Sequence, residues 1–247
     1  MNNNIWLDGV SERSQRVGLW CGVAFYILFF GACWPMAGFI PPPEPGWTGE
    51  ELISHYRDNI AWIRAAMPVG LISGVLLVPW STVLAIQVAR LERGIPFWAI
   101  TCVAAGAVNS VAFFLPFIFW SGAFYRLDRT PELILLINDM TWLEFVMVWP
   151  PVFLQMLSVA IAGLTHEGHK QVFPRWYYYL CAWCAALLIP GSLIIFFFRG
   201  PFAWNGLLAF WLPLTAYTIY ILTSFVLVHR AIKNHAAEHA LESTRSR

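Results

Sequence analysis

Six apolar runs, at roughly residues 17–40, 61–88, 97–120, 134–164, 178–198 and 203–228, leave this chain one solvent in which to fold. A helix rises about 1.5 Å per residue, so about 20 apolar residues cross a hydrocarbon core of about 30 Å. Inside that layer each backbone N–H and C=O must find its partner within the chain, which restricts every run to helix. The expected fold class is all-α: a polytopic membrane protein with six transmembrane helices arranged as three helix hairpins, and a short amphipathic surface helix on the outer side. Only 12% of the residues are charged, half the roughly 25% of a soluble domain.

The first run is longer than the roughly 7–15 residues of a signal-peptide core, so a retained span is expected. Residues 1–16 then form a cytoplasmic N-terminal segment, 17–232 the membrane domain and 233–247 a cytoplasmic tail. With an even number of spans the termini share a side. Ten of the basic residues fall there, namely Arg13, Arg16, Arg90, Arg93, Lys170, Arg175, Arg230, Lys233, Arg245 and Arg247. Five fall on the other side, namely Arg57, Arg64, Arg126, Arg129 and Arg199. The positive-inside rule makes both termini cytoplasmic, and the setting is read as a bacterial cytoplasmic membrane. The net charge of +1 offers no basic field for nucleic acid.

The first exterior connection opens with PPPEPGW at residues 41–47, whose prolines enforce extended backbone and a stiff, lid-like turn. Thr48 and Glu51 have capping-box spacing, and Leu52, Ile53, Tyr56 and Ile60 share a helical face behind them. This predicts the amphipathic helix. A faint echo links Glu51-Leu52-Ile53, then Asp58, Trp62 and Arg64, to Glu132-Leu133-Ile134, then Asp139, Trp142 and Glu144. It is consistent with three stacked hairpins. Prolines recur within the runs and predict kinked spans; those at 150 and 151 are read first as a simple bend, with a cavity beside them as the weaker reading. Gly18-x-x-x-Gly22 and Gly70-x-x-x-Gly74 predict close helix approach within the chain, with a contact to a second copy as the weaker reading.

Charged groups at membrane depth cost about 2.5–3.5 kcal/mol or more, so they seldom face lipid. Arg64 and Glu144 are expected at one depth near the outer leaflet, close enough to pair, first as an ion pair that fixes helix register and second as a recognition site or gate. Asp139 and Asn138 above Glu144, and Asp58 above Arg64, would extend them into an outward polar funnel, with Asn205 either capping the last span or lining it. The amides Gln87, Asn109 and Gln155 are read as packing glue between helices.

Other constellations narrow the chemistry. The histidines place no pair at membrane depth for haem. His166 with His169, and His235 with His239, lie in a loop and a polar tail and are not read as metal ligands; no cofactor or metal is expected. Lys170 and Lys233 are the only lysines, so no Schiff-base lysine lies inside the bundle. Cys181-Ala-Trp-Cys184 is read as apolar packing, and none of the five cysteines falls in an exterior loop.

The first functional reading is a non-catalytic membrane protein. It would bind an apolar or amphiphilic small molecule, membrane lipid, or a partner membrane subunit or second copy. The outward-facing cavity would be lined by Arg64, Asp139 and Glu144 and by Trp62, Trp142 and Trp149. The second is a proton-coupled small-molecule carrier with Glu144 as titrating group, against which stand its shallow position and the absence of clear inverted repeats. The third is a membrane-embedded enzyme acting on lipid, with Asp139 or Glu144 as general base and Arg64 on an anionic head group; no nucleophile or metal stands beside them.

Overall fold

The computed structural model describes residues 10–168 and 171–245, with side chains up to residue 237. His169, Lys170 and the side chains of Glu238 and His239 lie outside the described residues. Every element is helical: α1 Glu12–Tyr26, α2 Trp34–Ala37, α3 Gly49–Arg57, α4 Ile60–Val75, α5 Leu77–Ala89, α6 Phe97–Tyr125, α7 Pro131–Met147, α8 Pro150–Leu164, α9 Arg175–Ala186 and α10 Leu212–Arg245. Joined through short irregular turns they make six helices long and apolar enough to cross a membrane: Glu12–Ala37, Ile60–Ala89, Phe97–Tyr125, Pro131–Leu164, Arg175–Phe196 and Leu207–Ala237.

The boundaries follow from capping. Span 1 begins at Glu12 rather than Val17 because the Ser11 hydroxyl accepts from the Ser14 N–H at 3.1 Å. Span 3 begins where the Glu92 carboxylate accepts from the N–H groups of Trp98 and Ala99, both at 2.8 Å, satisfying donors that a helix start leaves orphaned. No more than half of the apolar window in any span is buried within the chain. Ile72 is 63% exposed, Leu136 55% and Leu222 52%. In water such a surface would drive association; in hydrocarbon it is the lipid-facing side.

The spans pack in chain order. Both halves of span 2 lie along α6, α6 lies against α7 and α8, α8 against α9, and α10 returns to α9 and to α1. The ring is filled by aromatic side chains. Phe29 meets Phe113, Phe117 and Phe145, while Trp34 stacks on Phe210 with ring centroids 5.6 Å apart. Trp120 and Trp142 meet edge to face at 5.2 Å. Lipid is as apolar as these rings, so their contribution comes from close contact rather than from leaving water.

The buried amides cross between helices. Gln87 donates to Gln15 at 2.9 Å, joining spans 2 and 1, and Gln155 donates to Ser81 at 2.8 Å, joining spans 4 and 2. Each such bond is worth around 0.6 kcal/mol, too little to drive folding but enough to select one register. The glycine pairs are used inside the chain: Gly18 and Gly22 face Pro79 and Trp80, and Gly70 and Gly74 face Phe117 and Phe114.

At the end of the bundle opposite the chain termini, α3 buries Leu52, Ile53 and Tyr56 and leaves Glu50, Ser54 and Arg57 exposed. Its capping box is complete. The Thr48 backbone N–H donates to Glu51 Oε2 at 2.7 Å, the Thr48 hydroxyl donates at 3.0 Å, and the Glu51 N–H returns to the Thr48 hydroxyl at 3.3 Å. These bonds, the backbone one foremost, hold the Glu51 carboxyl below the usual carboxylate range. The cap therefore contributes fully at neutral pH and is lost as pH falls through that lowered value. Thr48→Ala lowers hydrogen-exchange protection of the α3 amides several-fold at neutral pH, and acidification of the unsubstituted chain has the same effect.

Gly106 marks a tight crossing. A Cβ there would collide with the Ser81 side chain and the Gln155 amide, whereas one at Gly122, on the same helix, would meet nothing within 4 Å. Gly106→Ala is expected to cost about 1–3 kcal/mol by overpacking. Gly122→Ala is expected to be neutral or stabilising by up to about 1 kcal/mol. Thermal denaturation of both variants in the same detergent checks the difference.

Candidate functional site

Proline decides where the spans stop being regular. A proline inside a helix removes one N–H and crowds the carbonyl one turn back. In span 1 the segment Ile27–Cys33 is π-helical and ends two residues before Pro35; in span 6 the segment Leu207–Trp211 is π-helical and ends two residues before Pro213. The wider turn absorbs the misfit. Trp34 N–H reaches back to Phe29 O, and Leu212 N–H to Leu207 O, five residues in each case. Span 4 breaks outright at Val148 and Trp149, after which Pro150 and Pro151 open α8 in the first turn, where proline costs no hydrogen bond. Span 5 loses its α-helical form near Pro190 and continues as the 3-10 segment Ile189–Phe196.

These four irregular places converge. A cavity of about 90 Å³ is lined by Phe30 and Trp34 of span 1, Trp149 of the span 4 break, Leu188 of span 5, and Phe210 and Pro213 of span 6. Span 3 supplies Asn109, Ala112 and Phe113, and Tyr217 completes the wall. Of the polar groups there, Trp149 Nε1 donates to Ser192 Oγ at 2.8 Å, while the buried Trp34 Nε1 has no hydrogen-bond partner. The cavity can hold hydrocarbon and offers no assembled acid, base or nucleophile. π-helical turns inside transmembrane helices are frequent at functional positions, which adds interest to two of them meeting here.

The residues expected to form one outward funnel are distributed over several environments. Arg64 does not pair with Glu144. Its Nε donates to Phe124 O at 3.1 Å and its guanidinium end to Tyr125 O at 3.2 Å, so the cation caps the last turn of α6, where carbonyls lack helical partners and the helix dipole is negative. Trp62 is 63% exposed and faces outward from α4. Trp142 is fully buried among Phe39, Trp120 and Phe210. Among the six, Trp149 lines the mid-bundle cavity. Asp139 and Glu144 stand on α7 with one carboxyl oxygen each buried and without a hydrogen-bond partner. Arg16 pairs with Glu12 on one face of α1.

Glu144 is nevertheless well placed. It precedes Phe145 and Val146, which line the cavity, and its carbonyl accepts from the Val148 N–H at the span 4 break. Sequence reasoning missed Phe30, Phe210 and Tyr217, because an aromatic residue in an apolar run carries no mark of facing a void. The signal available was the proline two residues beyond each π-helical turn.

A second cavity, of about 420 Å³, lies at the end of the bundle opposite the termini, between the proline loop at 41–43, Tyr56 of α3 and Asn205. The loop is tied down by Trp204, whose Nε1 donates to Pro43 O at 2.9 Å. Asn205, which had been open between capping and lining, lines this cavity. Among the described residues no group of three or more His, Cys, Asp and Glu side chains is gathered to hold a metal. Comparison of the chain with protein-family models, with curated proteins and with solved structures finds no match.

Arg64→Ala removes two bonds to the end of α6 and is expected to cost about 1–2 kcal/mol. Glu144→Gln acts elsewhere, so the double substitution should be additive within about 0.5 kcal/mol. Denaturation midpoints of the four proteins give the coupling, and a value above 1 kcal/mol would contradict the separation of the two groups.

Proposed function

We propose that the chain is a non-catalytic integral membrane protein that takes the hydrocarbon part of an apolar or amphiphilic small molecule into the mid-bundle cavity. The observation that carries this reading is the convergence of four broken spans on one apolar space. Helix irregularity in a bilayer costs backbone hydrogen bonds, and a chain that needed only to span would place its prolines where the loss is not concentrated. Volume limits the ligand. Closed cavities of about 150 Å³ hold benzene, so a space of about 90 Å³ suits a chain or a methyl-branched end better than a ring system.

In this reading the three helix hairpins form the bundle, α3 lies on its outer surface, and the termini are cytoplasmic, as the distribution of Lys and Arg favours. Membrane lipid is the nearest source of such a molecule. The carrier reading keeps one supporting observation, the buried and unpartnered Glu144 Oε2. An acid at membrane depth is a common element of ion and proton paths.

Native mass spectrometry with lipid extraction tests the proposal. Protein purified in mild detergent should retain a stoichiometric apolar compound. Ala112→Leu, which fills the cavity from α6, should reduce that retention at least fivefold without lowering the denaturation midpoint. Equal retention in Ala112→Leu would remove the cavity as the site. A Glu144→Gln variant that keeps the compound but loses pH-dependent uptake in vesicles would favour the carrier.

A further inference from the structure

The cavity beneath the proline loop shares no lining residue with the mid-bundle one, and its chemistry is different. Its walls are aromatic on one side: Trp47 and His55 have ring centroids 4.8 Å apart, and His55 and Tyr56 4.9 Å apart. Glu44 is the one carboxylate in the lining, and no Lys or Arg lines it. The Arg199 guanidinium lies beside Gly46 and is not part of the wall. Tyr56 is 1% exposed and its hydroxyl has no hydrogen-bond partner. A buried phenol ordinarily finds one, and leaving it without costs about 1–3 kcal/mol. Burial pushes its pKa well above the usual tyrosine value, so it remains a neutral hydroxyl able to donate or accept. Asn59 and Asn205 add amides at the rim.

An anion would find no Lys or Arg in this wall, and a hydrocarbon would leave the Tyr56 hydroxyl without a partner and cover the Glu44 carboxylate. An aromatic face beside a carboxylate suits an organic cation, held by the ring quadrupole and by charge. We propose that this cavity binds a small organic ammonium ion bearing a hydroxyl group, with the ammonium over the Trp47 ring beside the Glu44 carboxylate and the hydroxyl bonded to Tyr56 Oη. The volume of about 420 Å³ leaves room for such an ion and several waters, each of which takes about 30 Å³ in the liquid. This proposal stands apart from the mid-bundle cavity.

The test uses the full chain in nanodiscs of phosphatidylglycerol at pH 8, titrated with choline, tetramethylammonium, glycerol and inorganic phosphate by calorimetry. Choline should bind saturably and more tightly than tetramethylammonium, with no saturable binding of glycerol or phosphate. Glu44 is exposed, so Glu44→Gln removes the charge without touching the core, and it should weaken choline at least tenfold. Tyr56→Phe should bring choline down to the level of tetramethylammonium and leave the latter unchanged. Denaturation midpoints confirm that both variants are folded. Repeating the choline titration in phosphatidylcholine nanodiscs separates the sources: competition identifies a lipid head group as the occupant, and undiminished binding identifies the free ion. No saturable choline binding in phosphatidylglycerol, preference for glycerol or phosphate, or indifference to Glu44→Gln would overturn the proposal.

Discussion

The need to satisfy backbone polar groups without water governs this structure more than any side-chain contact. Helix meets that need along most of each span, and proline breaks it at chosen places. The chain answers in different ways. Spans 1 and 6 widen to π-helical turns, span 4 stops and restarts on Pro150 and Pro151, and span 5 tightens to 3-10 geometry. Each answer shifts side chains out of regular helical register. Where four such shifts face one another the aromatic filling no longer closes, and the result is the apolar cavity at mid-bundle.

A second tension runs through the aromatic interior. Phenylalanine fills space without polar demands, but Trp34, Trp120 and Trp142 each bury an indole N–H that has no partner, as Asn138, Asp139 and Glu144 bury oxygens that have none. Donors and acceptors are thus left over in the same bundle that pairs Gln155 with Ser81 and Gln87 with Gln15. The paired amides lie between spans and fix their register. Several of the unpaired groups accompany α7 and the rings packed on it, while others, Tyr56 Oη on α3, Trp80 Nε1 on span 2 and Tyr220 Oη on span 6, lie elsewhere in the bundle.

How much of this was legible in the sequence differs by physical cause. Span number and helical class follow from run length, because hydrocarbon admits so few alternatives, and the Thr48–Glu51 box follows from local spacing. The kink at Pro150 and Pro151 was readable for the same reason. The partner of Arg64 was not. Charge alone suggested Glu144, whereas the observed acceptors are the Phe124 and Tyr125 carbonyls, which become available where α6 ends beside it. Helix ends are invisible as charge in a residue list, and the azimuth that turned Trp62 outward and Trp142 inward depends on how six helices settle together. A void lined by Phe30, Phe210 and Tyr217 is likewise a property of the assembled bundle.

The bond from Trp204 to Pro43 joins residues 161 positions apart, and span 6 packs on span 1 to close the ring. During synthesis the first loop therefore reaches its resting place only after nearly the whole chain has left the ribosome. Until then span 1 has one edge open to lipid, and the nascent bundle is a groove rather than a ring. Closure of the bundle thus waits for the last span to return to the first.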